Sequence, residues 1–220
     1  MSKTTRSKPG RPRKTEGPGT KERILDAAID LFSQNGFHGT SIRELGKTVG
    51  IKESSIYNHF KGKDGILAAI LERYTAEMEE TVLTAEEIDE RLGSIAPDEF
   101  WKRGMARFMT QTTDPRIEKI SLIVLLEMFR DERARDIAIR ELFTRQQESV
   151  ELIFTRMKEH GLVGPIDPQD LALVYAYPML GLRIEYNLLR GWGMDTGPVE
   201  EKMYRLIRFI AGVSAPRMEV

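Results

Sequence analysis

Two hydroxyls, a phenol, an amide, an imidazole and two ammonium groups crowd into Ser54-Ser55-Ile56-Tyr57-Asn58-His59-Phe60-Lys61-Gly62-Lys63. Hydroxyl, imidazole and ammonium groups hold phosphate oxygens, while an amide or a guanidinium can read a base edge. Other chemistry is poorly represented. Cysteine is absent, and the three histidines, His38, His59 and His160, lie far apart, so no thiolate zinc site, His-rich metal centre or cofactor is expected. Gly191-Trp192-Gly193-Met194-Asp195-Thr196-Gly197 looks like a Gly-rich phosphate loop. Its third glycine falls one place late and no strand precedes it, so it reads as a helix–helix connection. No P-loop, nucleophile elbow or His/carboxylate cluster is present, which leaves a helical enzyme as the remote alternative.

The elements that would position the polar cluster are short helices. Ser41 is placed to cap a helix and Glu44 to reach back to it, a capping box, with Ile42, Leu45 and Val49 as its apolar stripe and Gly50 as its stop. A second helix, about 53–60, carries Ile56 and Phe60 inward and turns Ser54, Ser55, Tyr57, Asn58 and His59 outward. Helix, glycine turn and polar-faced helix make a helix-turn-helix, whose second helix enters a major groove. Upstream, Thr20 is placed to cap a helix over about 21–35 with Ile24, Leu25, Ala28, Ile29 and Phe32 inside. Gly36 ends it and Phe37 tucks back.

Charge divides the chain the same way. Residues 1–63 carry 13 Lys/Arg against 6 Asp/Glu, a net +7, and the remainder is −8, within an overall −1. A basic head on an acidic body suggests that the head alone meets a polyanion. Residues 1–19 lack apolar periodicity and read as a disordered basic arm. Within it, Lys8-Pro9-Gly10-Arg11-Pro12-Arg13-Lys14 is similar to an AT-hook, with Arg11 and Arg13 in an A·T minor groove. A generic phosphate-binding tail is the other reading. That arm alone, as an architectural DNA-binding protein, is a further alternative. With no apolar leader and no apolar run of bilayer length, a cytoplasmic protein is expected.

The division into parts is 1–19 arm, 20–66 head and 67–220 body. Ile66, Leu67, Ile70, Leu71, Tyr74, Met78 and Val82 continue at helical spacing, one long helix joining head to body. The body, expected to begin near Pro97, reads as helices only, over about 97–112, 115–129, 132–160, 168–190 and 198–212, several opened by proline. The fold class is all-α, with a three-helix head and about nine helices in all. Ile120–Leu126 reads as centrally buried. The helix from Pro168 has two apolar stripes, so Leu173, Leu180, Ile184 and Leu188, joined by Met203, Leu206 and Ile210 of the last helix, are expected at a two-fold interface between copies. An apolar wall with a few polar groups is expected at Trp101, Met105, Phe108, Met109, Met128, Tyr175 and Tyr177, suited to a small hydrophobic effector. Arg107, Glu127, Arg183, Glu185 and Asn187 are polar groups within apolar helices.

Residues 20–67 resemble the DNA-binding head of the TetR family of transcriptional regulators. The resemblance rests on Ile24–Phe32 with Gly36-Phe37, Thr40-Ser41-Ile42-Arg43-Glu44-Leu45, Val49-Gly50-Ile51, Ile56-Tyr57-Asn58-His59-Phe60 and Lys61-Gly62-Lys63-Asp64. It implies a homodimer on a pseudo-palindromic double-stranded DNA operator, a ligand pocket in each body and release from DNA when an effector binds, most often as a repressor. It also implies phosphate contacts from Tyr57 and His59, a backbone contact from Lys63, a base contact from Arg43, and a place near backbone or base edges for Ser55. The turn departs from the family pattern. Lys52 stands where a capping serine is usual. Glu53 could accept from a cytosine amine or favour the helix N-terminus, and Asn58 could read adenine or touch phosphate.

Overall fold

The computed structural model describes residues 19–80, 82–95, 97–112 and 114–215, without the side chains of Pro97, Asp98, Phe108, Gln111 and Thr112. Every regular element among the described residues is a helix. Helices α1 (Thr20–Gly39), α2 (Ile42–Val49) and α3 (Glu53–Tyr57) form the head, and α4 (Gly62–Glu79) leads out of it. The body comprises α5 (Ala85–Ser94), α6 (Pro97–Thr112), α7 (Pro115–Glu127), α8 (Glu132–Ile137), α9 (Arg145–Glu159), α10 (Pro168–Gly191) and α11 (Gly197–Ser214). A π-helical stretch, Ala138–Thr144, joins α8 to α9, so the single helix expected over 132–160 is one rod with a local change of register.

The local signals explain most boundaries. Ser41 accepts from the Glu44 amide at 3.1 Å, but the return bond from the Glu44 carboxylate is not made, so half of the expected capping box forms. The complete box is at Thr84 and Glu87, opening α5, a helix the sequence reading passed over in starting the body at Pro97. Thr20 lies inside α1 rather than capping it; Gly19 holds that position with no side-chain bond to offer. Asp114 and Asp167 cap α7 and α10, each with proline behind. Lys52 precedes α3 without a side-chain cap, and α3 is correspondingly short, ending at Tyr57. Gly36 (φ 74°) breaks α1, and the chain turns again into helix as far as Gly39, which seats Phe37 edge-on against Phe32 with ring centroids 5.4 Å apart.

Two apolar clusters result. The first joins head to body: Ile24, Ala28, Phe32, Leu45, Ile56, Ile66 and Ile70 meet Ile120, Ile123 and Val124 of α7. The second, within the body, packs Phe100, Trp101, Phe154, Leu171, Met179, Met203 and Ile210. Two expectations are corrected here. Leu122 and Leu126 are exposed, so α7 is buried on one side rather than all round. Met203 and Ile210 are fully buried within the second cluster and Leu206 partly so, because α11 turns that stripe onto its own chain; its outward apolar residues are Tyr204, Phe209 and Val213.

Head and body are also joined by charge. Glu22, Asp26 and Asp30, spaced one turn apart on α1, face Arg116 (2.9 and 3.0 Å to the first two) and Lys119 (2.6 Å to the third) on α7, with Arg73 of α4 also on Glu22. Hydrogen bonds from Arg116, with Arg73 and against partial burial, hold the Glu22 carboxyl below its ordinary range. Its contribution is therefore complete above the ordinary value of 4.5 and is lost as pH falls through the lowered one.

At the far end of this seam Glu127, 2 % exposed, accepts the Phe37 amide at 3.1 Å, beside the break at Gly36. Replacing it with alanine would leave that buried N–H unsatisfied, at a cost of about 1–3 kcal/mol, whereas glutamine keeps an acceptor. Urea unfolding should therefore rank Glu127→Ala well below Glu127→Gln, with the glutamine variant close to the native chain.

Candidate DNA interface and effector cavity

The helix-turn-helix is fixed from behind. The left-handed Gly50 (φ 74°, ψ 36°) ends α2, and the Ile51 amide reaches back to the Gly46 carbonyl at 2.9 Å. Arg23 of α1 donates to the Val49 carbonyl, tying α1 to the end of α2. Ile56 and Phe60 are buried as expected, and the rest of α3 and its continuation face outward. Arg43, Lys52, Glu53, Ser54, Tyr57, Asn58 and His59 are exposed, Tyr57 to 58 %, and Ser55 is half-buried. Arg43 has no carboxylate within 4 Å among the described residues, so its fork is not held by Glu44 or Glu53. Ser41 is bound to its capping role. Arg11 and Arg13 lie outside the described residues.

Lys63 differs from its neighbours. Its ammonium donates to the carbonyls of Phe37 (2.6 Å) and Thr40 (2.8 Å) and stands 4.4 Å from the centre of the Phe37 ring. It closes the end of α1 against the start of α4. Sequence reading places it on phosphate; the structure gives it a second, internal task. The pairing of Glu22, Asp26 and Asp30 with the body has an electrostatic consequence for this face. Three of the head's acidic side chains are turned away from it, while Arg43, Lys47, Lys52 and Lys61 stay exposed.

The body contains a cavity of about 500 Å³. Trp101 and Tyr175 line it, ring centroids 5.9 Å apart. Met105, Met109, Met128 and Tyr177 do not. Met105 and Met109 pack into the second cluster, Met128 packs against the head-side cluster, and Tyr177 points outward beside Phe143; the Phe108 side chain lies outside the described residues. Helix spacing alone cannot distinguish a cavity wall from ordinary core, since both are apolar and inward.

Sequence reading missed Tyr74, Arg91, Glu118, Ser121 and Arg145, which also line the cavity. Of the polar groups noted within apolar helices, Arg107, Arg183 and Asn187 do line it. Glu127 instead holds the Phe37 amide, and Glu185 pairs with Lys202 at the surface. Burial raises the Tyr175 phenol to about 12 and also pushes Tyr74 up, so both are neutral hydroxyls. Helix α7 borders both regions: Ile117, Glu118 and Ser121 line the cavity, while Arg116, Lys119 and Glu127 hold α1.

A basic helix-turn-helix head on an all-helical, cavity-bearing body defines the class as a helical regulator of the DNA-binding kind. Residues 24–70, the helix-turn-helix head and the start of α4, match the sequence profile described as "Bacterial regulatory proteins, tetR family". It is 33% identical over 98 residues to the HTH-type transcriptional regulator UidR of Escherichia coli (strain K12), covering 41% of this chain and 50% of that protein. The chain thus spans about half the length of that curated relative.

Among solved structures it is similar to the SmeT–triclosan complex (TM-score 0.67, 21% identity, 90% of this chain and 93% of that one). It is also similar to a TetR-family regulator from Mesorhizobium loti (TM-score 0.64, 17% identity, 89% and 96%). At these identities the structures establish the fold. The matched profile and the named relative are those of transcription regulators. Among the described residues no helix is long and apolar enough to cross a membrane.

The two lysine and tyrosine environments separate by experiment. Lys63→Ala removes donors from two carbonyls and should lower stability by about 1–3 kcal/mol, while the exposed Tyr57→Ala stays within about 0.5 kcal/mol of the native chain. Thermal or urea unfolding of the two variants reads the difference.

Proposed function

We propose that the protein is a ligand-responsive transcriptional repressor that binds a pseudo-palindromic operator as a homodimer on cytoplasmic DNA. The observation that carries this reading is the double role of α7, one side on the cavity and the other on the head. A ligand that favours one position of α7 over another shifts α1, and with α1 the helix-turn-helix it braces. It does so only through its differential affinity for the two arrangements. Helix α4 joins head to body along the chain, and the bonds from α7 to α1 supply a second and more direct connection.

Dimerisation is supported by the unpartnered apolar side of α10, where Leu173, Ile184 and Leu188 are exposed, with Leu180 half-buried beside them, and by Phe209 and Val213 on α11. An apolar strip of this kind on a helix pair fits a four-helix contact across a two-fold axis. Two heads held in that way would meet successive major grooves about 34–36 Å apart. Tyr57, His59 and Asn58 are then contacts that position the head, and Arg43, with its free fork, is the base reader.

Two experiments test this. The full chain should sediment as a dimer, and Leu188→Glu, which puts a charge on the exposed strip, should give a folded monomer with unchanged helicity. A chain that is monomeric at micromolar concentration removes the dimer. After operator selection from random duplexes, gel shifts should show preference for the selected duplex. Tyr57→Ala should weaken selected and random duplexes alike, and Arg43→Ala should narrow the gap between them, by about 1–3 kcal/mol per lost base contact. Equal affinity of the native chain for all duplexes at moderate salt would remove the sequence-specific reading.

A further inference from the structure

The charged lining of the cavity is mostly guanidinium. Five arginines line the wall, Arg91, Arg103, Arg107, Arg145 and Arg183, against two carboxylates, Glu118 and Glu141. Both carboxylates are already engaged. Glu118 pairs with Arg190 at 3.1 Å, and Glu141, held inside by the π-helical stretch, pairs with Arg140 at 2.7 Å and Arg145 at 2.9 Å. Arg103 is paired with Glu99 at 2.8 Å. Arg183 has no carboxylate within 4 Å among the described residues, yet it is only half-exposed on the cavity wall. A guanidinium in that position gains most from a planar anion that it can meet with two parallel bonds.

The groups around Arg183 suit the same anion. The buried Tyr74 hydroxyl accepts from Ser121 at 3.4 Å, which leaves its own proton to donate. Asn187 stands one turn beyond Arg183, and its side-chain oxygen is buried with no hydrogen-bond partner. Rotating that amide presents its NH₂ group to the cavity instead. Another part of the wall is aromatic, with Phe100, Trp101 and Tyr175 close together. Tyr175 and Arg183 are eight residues apart on α10, about 12 Å along the helix at 1.5 Å per residue.

We infer that the effector is an amphipathic organic acid, its carboxylate on Arg183, Tyr74 and Asn187 and its aromatic or medium-length apolar tail against Trp101 and Tyr175. This rests on the reading of the cavity as the effector site and narrows it. The small hydrophobic effector expected from sequence is thereby narrowed to one that also carries an anion, and Met105, Met109 and Met128 are not among the residues lining the cavity. A cationic ligand meets an excess of guanidinium, and a neutral one leaves Arg183 without a counter-charge.

The test titrates the full chain near neutral pH by calorimetry with three matched probes: phenylbutyrate, its primary amide and phenylbutylamine. The acid should bind at least ~10-fold more tightly than the amide, the factor that one charge-assisted bond supplies, and the amine should bind weakest. Arg183→Gln should remove the acid's advantage while leaving amide affinity within about twofold of native, and Arg183→Lys should retain part of it. Circular dichroism on both variants separates lost charge from lost fold.

Equal or tighter binding of the amide or amine, an acid preference that survives Arg183→Gln, or no binding of any probe each overturns the inference. Failure of the regulator reading shows elsewhere, as absence of duplex preference in gel shifts run without any probe.

Discussion

The contact between α1 and α7 is the constraint from which the rest of the molecule follows. Its centre is apolar, with Ile24, Ala28 and Phe32 against Ile120, Ile123 and Val124. Along one side runs the ionic seam of Glu22, Asp26 and Asp30 with Arg116 and Lys119, and at its end the Glu127 carboxylate receives the Phe37 amide. Exposed ion pairs of this sort add little stability singly. Here they align α7 along α1, although acids one turn apart would let part of the ladder re-pair after a slide of one turn. The buried bond from Phe37 to Glu127 adds the stricter condition, because an amide taken from water must find an acceptor.

That arrangement also sorts charge. The acidic side chains of α1 are neutralised against the body, so the exposed side of α2 and α3 is left basic without an unusual density of lysine or arginine. The same helix α7 then forms one wall of the cavity. A polyanion-facing surface and a cavity thus share one structural partner, and they sit on opposite sides of it. Coupling between two sites needs such an element with differential contacts to both.

The cavity combines an apolar, aromatic wall with a set of arginines. Its arginines reach it from α5, α6 and α10 and from the start of α9, beside the π-helical stretch. The π turn carries Glu141 inward, where it holds Arg140 and Arg145. Such turns occur often at functional sites, since the extra residue displaces one side chain from the helical face it would otherwise occupy.

How much was legible from sequence depended on the range of the interaction. Ser41, Gly36, Gly50, Asp114 and Asp167 act on backbone groups a few residues away, so the head, its turn and several helix starts follow from local pattern. The outward position of Tyr57, Asn58 and His59 follows from the inward demand of Ile56 and Phe60. The net charge of the head is likewise additive and needs no coordinates. What the fold alone decided involves partners distant in the chain: Glu127 with Phe37, Lys63 with the end of α1, Arg183 beside Tyr74, Met203 and Ile210 inward rather than outward. An apolar stripe states that a helix has a side to bury and is silent about which neighbour covers it. A polar residue in such a stripe states that a partner exists, and only tertiary packing, which brings distant segments within hydrogen-bond range, names that partner.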